Sequence, residues 1–371
     1  MKRFLATALF PLVIACSTDA SNARPSDPPL LPDAGSTEAG PQPRSESCLA
    51  LDAKLQAALD DGIATIKTSD GVVAVITPEC GYSEYFSGKS GPTGENLFRI
   101  GSNTKTYVAG VILKLVTDGK LKLTDVLETY VAGIKNGTSI TIKQLLNHSS
   151  GIFNYTDDPG LDFHAKVTPA SLVDLAKKHE PYFEPGAGWH YSNTNFILLG
   201  MIAEQVGGKP IAAQIREKIL VPYKLEHTFF DGTEPVTGTI AKGFSSTGKD
   251  ITTSYDMSWA WAAGAMVATP SDLARWITMV SKGEVYTPEI QKELLTGIPA
   301  FAGVEYGLGL FLFSAEATGK SASIGHGGDI FGCHSQDSYF PKTDMTVVTI
   351  TNKDGTSPND LSIAVFDVLM P

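Results

Sequence analysis

The sequence predicts an α/β (α+β) fold in which an antiparallel sheet is built from both chain ends, is flanked by helices, and receives a mostly helical insertion. Strand-like patterns occur near the start, at 71–77 and 81–88, and return at 306–312, 337–340 and 345–350. Between them, from about 107 to 292, apolar residues recur mainly at helical spacing. Strands at both ends therefore imply one sheet that the two termini share.

The composition is that of a globular protein. The chain has 371 residues, of which 42% are hydrophobic, and this length suffices for two packed regions with a substantial core. Its net charge of −11 argues against nucleic acid as a partner, because nucleic acid requires a basic face. No C-x-x-C or H-x-x-x-H pair occurs, so no metal site is expected.

Residues 1–16 are predicted to be a lipoprotein-type signal peptide. A charged start precedes an apolar run that is too short to span a bilayer comfortably. The run ends in Leu12-Val13-Ile14-Ala15-Cys16, which resembles a bacterial lipobox, in which the cysteine is lipidated. We therefore expect an exported protein of the periplasm or cell envelope that is anchored to a membrane through Cys16. Ordinary cleavage near Ala23 is the alternative.

Residues 17–47 are predicted to be a disordered, proline-rich tether, and residues 48–371 a folded domain. The domain is expected to open with an amphipathic helix that ends near Gly62 and to continue with a hairpin of the strands 71–77 and 81–88. If the helix packs antiparallel on the first strand, Cys48 comes close to Cys80. An exported chain permits a disulfide between them, with Cys333 left over.

Further helices are predicted in the insertion and at the end of the chain, at 141–148, 169–178, 195–206, after an N-cap at Thr269, and at 359–369.

The stretch 99–105 has the pattern of a nucleophile turn. A strand-like run at 96–100 meets Gly101, and a helical pattern begins at once and ends at Gly119. Ser102 therefore lies in the first helical turn, and Lys105 lies on the same side one turn later. A serine hydroxyl needs a neighbouring base, and partial burial can make a lysine amine that base. The unpaired N–H groups of the helix start favour an oxyanion there.

A single S-x-x-K is weak evidence, because a solvated lysine near a helix start gives the same pattern. A second copy, Ser246 to Lys249, lies in a Gly/Ser/Thr-rich stretch, and we interpret it as a loop and a chance match.

Two further short motifs contain candidate site residues. Tyr191-Ser192-Asn193 starts a helix after the glycine-rich turn 184–188, which could place Tyr191 in a cleft. A phenol near a lysine ammonium can lose its proton easily, and Asn193 could bind a substrate amide. Gly325-His326-Gly327-Gly328 lies between predicted strands, where its glycines would let a substrate approach a strand edge and His326 could tune the other groups electrostatically. A capping asparagine and a structural histidine are the alternatives.

Taken together, the motifs resemble those of the penicillin-recognising serine hydrolases. Ser102-x-x-Lys105, Tyr191-x-Asn193 and His326-x-Gly328 stand in the order of the three motifs of that family. The stretches 99–105, 145–155, 191–200, 258–276 and 306–310 look like the exported D-alanyl-D-alanine carboxypeptidases near class C β-lactamases (peptidase family S12-like). The similarity covers residues 48–371.

The resemblance implies a β-lactamase/transpeptidase-like fold with the active site between the sheet and the helical region. Ser102 would be acylated, Lys105 and Tyr191 would handle its proton, and His326 would occupy the third-motif basic position. The N–H groups of Ser102 and Asp329 would form the oxyanion hole. Substrate-binding positions would be completed by Asn193, Gly328 and, as an aromatic lining residue, Trp259. Neither a metal nor another cofactor is implied.

The sequence departs from the carboxypeptidases at the residues that hold the carboxylate of the substrate. Those enzymes usually carry threonines after the third-motif histidine and an arginine on the preceding strand. This chain has Gly327, Asp329 and the run Phe311-Leu312-Phe313. The carboxylate of Asp329 should repel that of a substrate if its side chain points inward.

The sequence therefore predicts a monomeric, exported serine acyl hydrolase that works through a Ser102 acyl-enzyme and most resembles a D-alanyl-D-alanine carboxypeptidase or a β-lactamase-related hydrolase. Its substrate would be a small molecule or a peptidoglycan-type peptide or ester. An esterase or a D-amino-acid peptidase or amidase of the same fold is the alternative. From another class, a non-catalytic penicillin-binding sensor domain is also considered. An α/β-hydrolase is excluded because no G-x-S-x-G occurs.

Overall fold

An eight-stranded antiparallel sheet forms the centre of the computed structural model, which describes residues 44–371. Its strand order is β2-β1-β11-β10-β9-β8-β7-β6. The strands are β1 (Asp70–Thr77), β2 (Gly81–Gly88), β6 (Ile298–Phe301), β7 (Val304–Tyr306), β8 (Phe311–Phe313), β9 (Ser323–Ile330), β10 (Cys333–Phe340) and β11 (Met345–Thr351). Because β1 pairs with β11, the sheet is shared by both ends of the chain as predicted.

Two helices cover one face of the sheet, and they come from opposite ends of the chain. Helix α1 (Glu46–Ile66) packs beside α11 (Pro358–Leu369). Together with the strands beneath them, they bury a cluster that includes Leu55, Leu59, Val347 and Leu361. This burial contributes to holding both ends of the domain in place. The predicted signal peptide, Cys16 and residues 17–43 lie outside the described residues, and α1 begins two residues before the predicted domain start.

The insertion is mostly helical, as predicted, and lies against the other face. Its helices are α2 (Thr104–Thr117), α3 (Ile142–Leu146), α4 (Pro169–Ala176), α5 (Asn193–Gly207), α6 (Ile211–Ile215), α7 (Trp261–Gly264), α8 (Pro270–Lys282) and α9 (Pro288–Leu294); the short α10 (Ala315–Thr318) follows β8. Thr278 of α8 is hydrogen-bonded to Thr346 of β11 by their hydroxyl oxygens at 2.5 Å. Since neighbouring strand residues point to opposite faces, Thr346 lies across the sheet from Val347 and from the two terminal helices.

A second, three-stranded sheet inside the insertion was not predicted. It consists of β3 (Phe98–Arg99), β5 (Met266–Ala268) and β4 (Thr228–Phe230) in that order. The predicted strand 96–100 is thus reduced to two residues and does not join the main sheet. Two- and three-residue strands leave too few residues for a period of two to be read from the sequence.

The single strand predicted at 306–312 is wrong. The structure has a hairpin there, in which β7 and β8 are joined by the turn 307–310. Gly309 has φ +93°, and a Cβ at this position would lie 2.7 Å from the Cβ of Ala109. The alternation of leucine and glycine therefore reflects a tight turn against α2 rather than a continuous strand.

Cys48 and Cys80 form a disulfide that joins the start of α1 to the turn between β1 and β2. Cys333 is free and buried. Among the described residues, the one group of side chains spaced closely enough to hold a metal is Cys48, Glu79 and Cys80, and both of its cysteines are oxidised.

Within residues 44–371, no single helix is long and apolar enough to cross a membrane. One bent pair, Asn193–Gly207 with Ile211–Leu220, meets that criterion by length and composition only, with a bend of 75° between its parts.

Candidate active site

Ser102 lies where a tight turn meets the part of β9 that β8 leaves unpaired. The 3₁₀ turn Gly101–Asn103 leads directly into α2. Gly101 has φ +50°, and a Cβ there would lie 2.8 Å from the backbone nitrogen of Asp329 on β9. A Cβ on Gly328 would overlap the Ile100 carbonyl oxygen. Glycine at both positions therefore allows the nucleophile turn and the strand edge to come together.

Lys105 is fully buried beneath Ser102. Its Nζ lies 2.9 Å from Ser102 Oγ, 2.8 Å from Asn193 Oδ1 and 2.7 Å from the Ala263 carbonyl oxygen. Burial lowers the pKa of the amine well below its ordinary value, because the charged form loses hydration. A neutral amine would donate its two N–H bonds to Asn193 and Ala263 and turn its lone pair to the Ser102 hydroxyl. This arrangement suits a general base.

Tyr191 is close to both residues but has a different protonation state from the one expected. Its ring centroid lies 4.9 Å from Lys105 Nζ. Burial raises the pKa of the phenol, and the neighbouring Ser102 hydroxyl offsets only part of that rise. The expectation of an easily deprotonated phenol is therefore wrong, because the lysine beside it is itself driven towards the neutral form. Tyr191 is suited to donate a proton or a hydrogen bond.

Asn193 begins α5 and is held by the loop before α4. Its backbone N–H donates to Asn154 Oδ1 at 2.9 Å, and its Nδ2 donates to Thr156 Oγ1 at 3.3 Å. Its Oδ1 accepts from Lys105, so the side chain links the first two motifs rather than only facing a substrate.

His326 lies within β9, not between strands as the sequence suggested. Its ring is buried, and its Nε2 lies 2.9 Å from the Tyr306 hydroxyl. Burial lowers the pKa of the imidazole to about 3, because the charged form loses hydration. The ring is therefore neutral, with Nδ1–H directed to the Gly327 carbonyl and Nε2 accepting from Tyr306. It supplies no positive charge to the third-motif position.

The Asp329 side chain does not point towards the nucleophile. It is 88% exposed, and its Oδ1 lies 2.7 Å from Nδ1 of His334, the residue opposite it on β10. Because side chains alternate along a strand, it lies on the other face of β9 from Gly328. Only the backbone of Asp329 meets the Gly101 turn, so its carboxylate does not stand in the substrate's place.

An aromatic cluster packs around Trp259, which ends the 3₁₀ turn Met257–Trp259. The Trp259 ring centroid lies 4.9 Å from that of Phe163 and 5.6 Å from that of Phe331, which follows β9. Tyr255 stacks on Phe331 at 3.9 Å. Trp259 therefore belongs to a wall that is continuous with the tip of the β9–β10 hairpin.

The sequence did not assign a role to His148 or to the Ala263 carbonyl. His148 is fully buried, with its ring centroid 4.4 Å from that of Tyr191, and its Nδ1 accepts from the backbone N–H of Ser192 and from Asn195 Nδ2. The stretch 145–155 had resembled the family, which was a signal for His148. A backbone carbonyl such as that of Ala263 leaves no signal in a sequence.

A cavity of about 620 Å³ borders Gly327, Gly328 and Asp329 of β9 on the face of the sheet that α11 covers, and its lining does not include Ser102, Lys105 or Tyr191. Hydroxyl and amide side chains from β10 and from the start of α11 line it, including Ser338, Gln336 and Asn359. No lysine or arginine is among its lining residues in the described chain.

Comparison with known proteins gives concordant results. A family model described as Beta-lactamase matches residues 51–369. The Bacillus subtilis protein PbpX, named as a penicillin-binding protein, is 29% identical over 217 residues, which are 58% of this chain and only 53% of PbpX. The teichoic acid D-alanine hydrolase of Staphylococcus aureus is 28% identical over 297 residues, 78% of this chain and 71% of that protein. The crystal structure of a D-stereospecific amidohydrolase from Streptomyces sp. matches with a TM-score of 0.77 at 30% identity, over 85% of this chain and 98% of that one.

Proposed function

Since the chain belongs to the beta-lactamase family of serine hydrolases, we propose that it hydrolyses esters or amides of D-amino acids through an acyl-enzyme on Ser102. The observation that carries the proposal is the buried Lys105 amine, within hydrogen-bonding distance of Ser102, Asn193 and the Ala263 carbonyl. A desolvated amine beside a serine hydroxyl is the arrangement that nucleophilic catalysis at neutral pH requires.

In the proposed reaction, Ser102 Oγ attacks the acyl carbonyl carbon and its proton passes to the neutral Lys105 amine. The backbone N–H groups of Ser102 and Asp329 would stabilise the resulting oxyanion. The bond to the leaving group then breaks, and that group takes a proton from Lys105 through the protonated Tyr191 phenol. Water hydrolyses the acyl-serine and restores Ser102.

The residues of β8 favour esters and amides over a carboxypeptidase substrate. Phe311, Leu312 and Phe313 occupy this strand, where the carboxypeptidases usually carry an arginine that holds the carboxylate of the substrate. His326 adds no charge because its ring is neutral. A terminal carboxylate would therefore be desolvated without a cation to pair with, which is unfavourable.

The preference for the D configuration is supported by the two relatives whose names state it, the teichoic acid D-alanine hydrolase and the D-stereospecific amidohydrolase.

The proposal includes export and anchoring through a lipid on Cys16. The disulfide between Cys48 and Cys80 supports export, because such bonds persist in oxidising compartments. Metabolic labelling of the full chain with a fatty-acid probe should mark the wild type and not Cys16→Ser. Equal labelling of both proteins, or of neither, would contradict the lipid anchor.

The full chain should be tested on matched pairs of substrates. D-alanine p-nitroanilide and D-alanine methyl ester should be hydrolysed faster than their L enantiomers. An acylated D-alanyl-D-alanine with an amidated terminus should be cleaved at least as fast as one with a free carboxylate. Faster cleavage of the free acid would instead indicate a carboxypeptidase. Slow acylation by a penicillin without turnover of any ester or amide would indicate the sensor domain.

A further inference from the structure

An acidic–basic–acidic cluster lies on the side of the β9–β10 hairpin away from the Ser102 turn. Its residues are Asp329 on β9, His334 on β10 and Asp354 in the loop after β11. His334 Nδ1 lies 2.7 Å from Asp329 Oδ1, and its Nε2 lies 3.8 Å from Asp354 Oδ1. The His334 side chain is only 14% exposed. The proposed reaction uses none of these three side chains.

The cluster is attached to the part of β9 that meets the nucleophile. Asp329 and His334 are directly opposite each other across the two strands. The backbone nitrogen of Asp329 is the atom that approaches Gly101, immediately before Ser102. One residue therefore presents its backbone to the nucleophile turn and its carboxylate to His334.

The same cluster holds the tip of the hairpin. Asp354 Oδ1 accepts a hydrogen bond from the Gly332 N–H at 2.6 Å. Gly332 packs backbone to backbone against Gly243, and a Cβ on either glycine would lie within 3 Å of the other. Phe331, next to Gly332, stacks on Tyr255 in the aromatic wall. Movement of the tip would therefore shift both the wall and the end of β9.

We propose that His334 is a positioning residue, which keeps the backbone N–H of Asp329 directed at the developing oxyanion through its hydrogen bond to the Asp329 carboxylate. The proposal rests on the acyl-enzyme chemistry proposed above. The hydrogen bond to His334 also holds the pKa of Asp329 below its ordinary value, so the carboxylate stays ionised.

Two substitutions of His334 separate positioning from packing. His334→Ala removes the hydrogen bond to Asp329, whereas His334→Asn keeps an amide donor close to the position of Nδ1. The control is His179→Ala, which removes a His–Asp pair of the same length, 2.7 Å from His179 Nε2 to Asp158 Oδ2, away from β9. The full chain would be assayed with p-nitrophenyl acetate, whose acyl group carries no stereocentre.

His334→Ala should lower kcat about 10- to 100-fold, less than the roughly 100- to 1,000-fold loss expected when an oxyanion donor is removed. KM should change by less than about twofold, because the donor acts mainly on the transition state. His334→Asn should recover most of the lost kcat, and His179→Ala should match the wild type. An unchanged kcat in His334→Ala would overturn the proposal, as would equal losses in Ala and Asn with a raised KM.

A fluorophosphonate probe keeps the test independent of the substrate. Ser102 Oγ displaces fluoride from its phosphorus through a five-coordinate transition state in which the phosphoryl oxygen gains negative charge, so labelling depends on the same N–H donors and requires no turnover. Labelling of Ser102 should slow in His334→Ala by the same factor as kcat and recover in His334→Asn. If the wild type hydrolyses no D-amino-acid ester but shows this pattern, only the proposed substrate is wrong. Equal labelling rates for the wild type and His334→Ala, or no labelling of the wild type, would overturn the role of His334.

Discussion

The hydrogen bond between Lys105 Nζ and Asn193 Oδ1, 2.8 Å long, joins the starts of two helices that are 88 residues apart in the sequence. Lys105 lies in the first turn of α2, and Asn193 is the first residue of α5. The bond uses the Asn193 amide oxygen as acceptor and directs an N–H of the lysine away from Ser102. It thereby helps to leave the lysine lone pair for the serine proton.

Ser102→Ala should abolish acyl-enzyme formation and reduce turnover to the background rate, because no other described side chain takes the place of its hydroxyl. Ser246→Ala is the matched control, since Ser246 belongs to the second S-x-x-K, in the loop 245–249 that the isolated bridge between Phe244 and Asp250 closes. Intact-protein mass after mixing with a fluorophosphonate would show the adduct. Its persistence in Ser102→Ala, or its loss in Ser246→Ala, would contradict the assignment.

Lys105→Met should reduce kcat about 100- to 10,000-fold, which is the usual contribution of a positioned base. It should also change the pH dependence of stability. The pKa of Lys105 is well below 10.5 in the folded chain, so between these values the unfolded chain binds more protons and stability rises with pH. Measured by urea unfolding, the free energy of unfolding of the wild type should rise relative to that of the variant by up to about 1.4 kcal/mol per pH unit in that window. If the free energies of unfolding of the two proteins changed equally with pH, the result would contradict a neutral buried amine.

Tyr191→Phe should lower kcat and leave KM almost unchanged, because the phenol acts when the proton reaches the leaving group. Since burial raises the phenol pKa, no limb of the pH–rate profile below the ordinary phenol range should belong to Tyr191. The variant should therefore retain the shape of the wild-type profile at a lower level. If a limb between pH 6 and pH 9 disappeared, the phenolate would be the working form, contrary to this expectation.

Asp337→Asn should become progressively more stable than the wild type between about pH 4 and pH 8. Burial raises the pKa of Asp337 from 3.8 to about 8, so in this window the unfolded chain releases a proton that the folded chain keeps. The stability that the protonated Asp337 contributes to the wild type is therefore fully present below about pH 3.8 and is lost as the pH rises towards 8. Asparagine keeps the Oδ1 that accepts from the His326 N–H at 2.7 Å.

The control is Asp337→Ala, which should be about 1–3 kcal/mol less stable than Asp337→Asn at every pH because it removes that acceptor. Thermal unfolding from pH 4 to pH 8 would compare the three proteins, and an Asn variant that tracks the wild type throughout would refute the buried neutral carboxyl.

Replacing both Cys48 and Cys80 by serine should lower the free energy of unfolding by about 3–4 kcal/mol, the chain-entropy value for a loop of this size. The two cysteines are 32 residues apart in the sequence. Because they join α1 to the β1–β2 turn, kcat should not change. Dithiothreitol should lower the Tm of the wild type and leave that of the double variant unchanged. A change of kcat on reduction would contradict a disulfide that lies away from the active site.

The sequence predicted those parts of the fold in which one periodic pattern of apolar residues extends over a long segment. The pairing of both chain ends followed from strand patterns at 71–88 and 337–350, and the turn that carries Ser102 followed from a glycine between two periodic runs. The hairpin at 304–313 did not follow from the sequence, because alternating leucine and glycine fit a strand as well as a turn. Only the close approach of Gly309 to Ala109 distinguishes the two.

Protonation states were the least predictable part of the site. A basic histidine and a labile phenol were reasonable for exposed groups, but both side chains are enclosed, and desolvation outweighs their attractive neighbours. The direction of the Asp329 carboxylate depends on the strand register that pairs it with His334, which a sequence does not specify.

The pairing of β1 with β11, in which Gly71 lies opposite Thr351, sets the order in which the chain can fold. A contact between such distant residues requires closure of almost the entire chain, and non-local pairing of this kind slows folding. During synthesis, β1 and β2 emerge first and can form only an isolated hairpin, which is marginally stable in water. The sheet beneath α1 therefore remains open until the last strand has left the ribosome, and the nascent chain exposes an unpaired strand edge for nearly the whole of its synthesis.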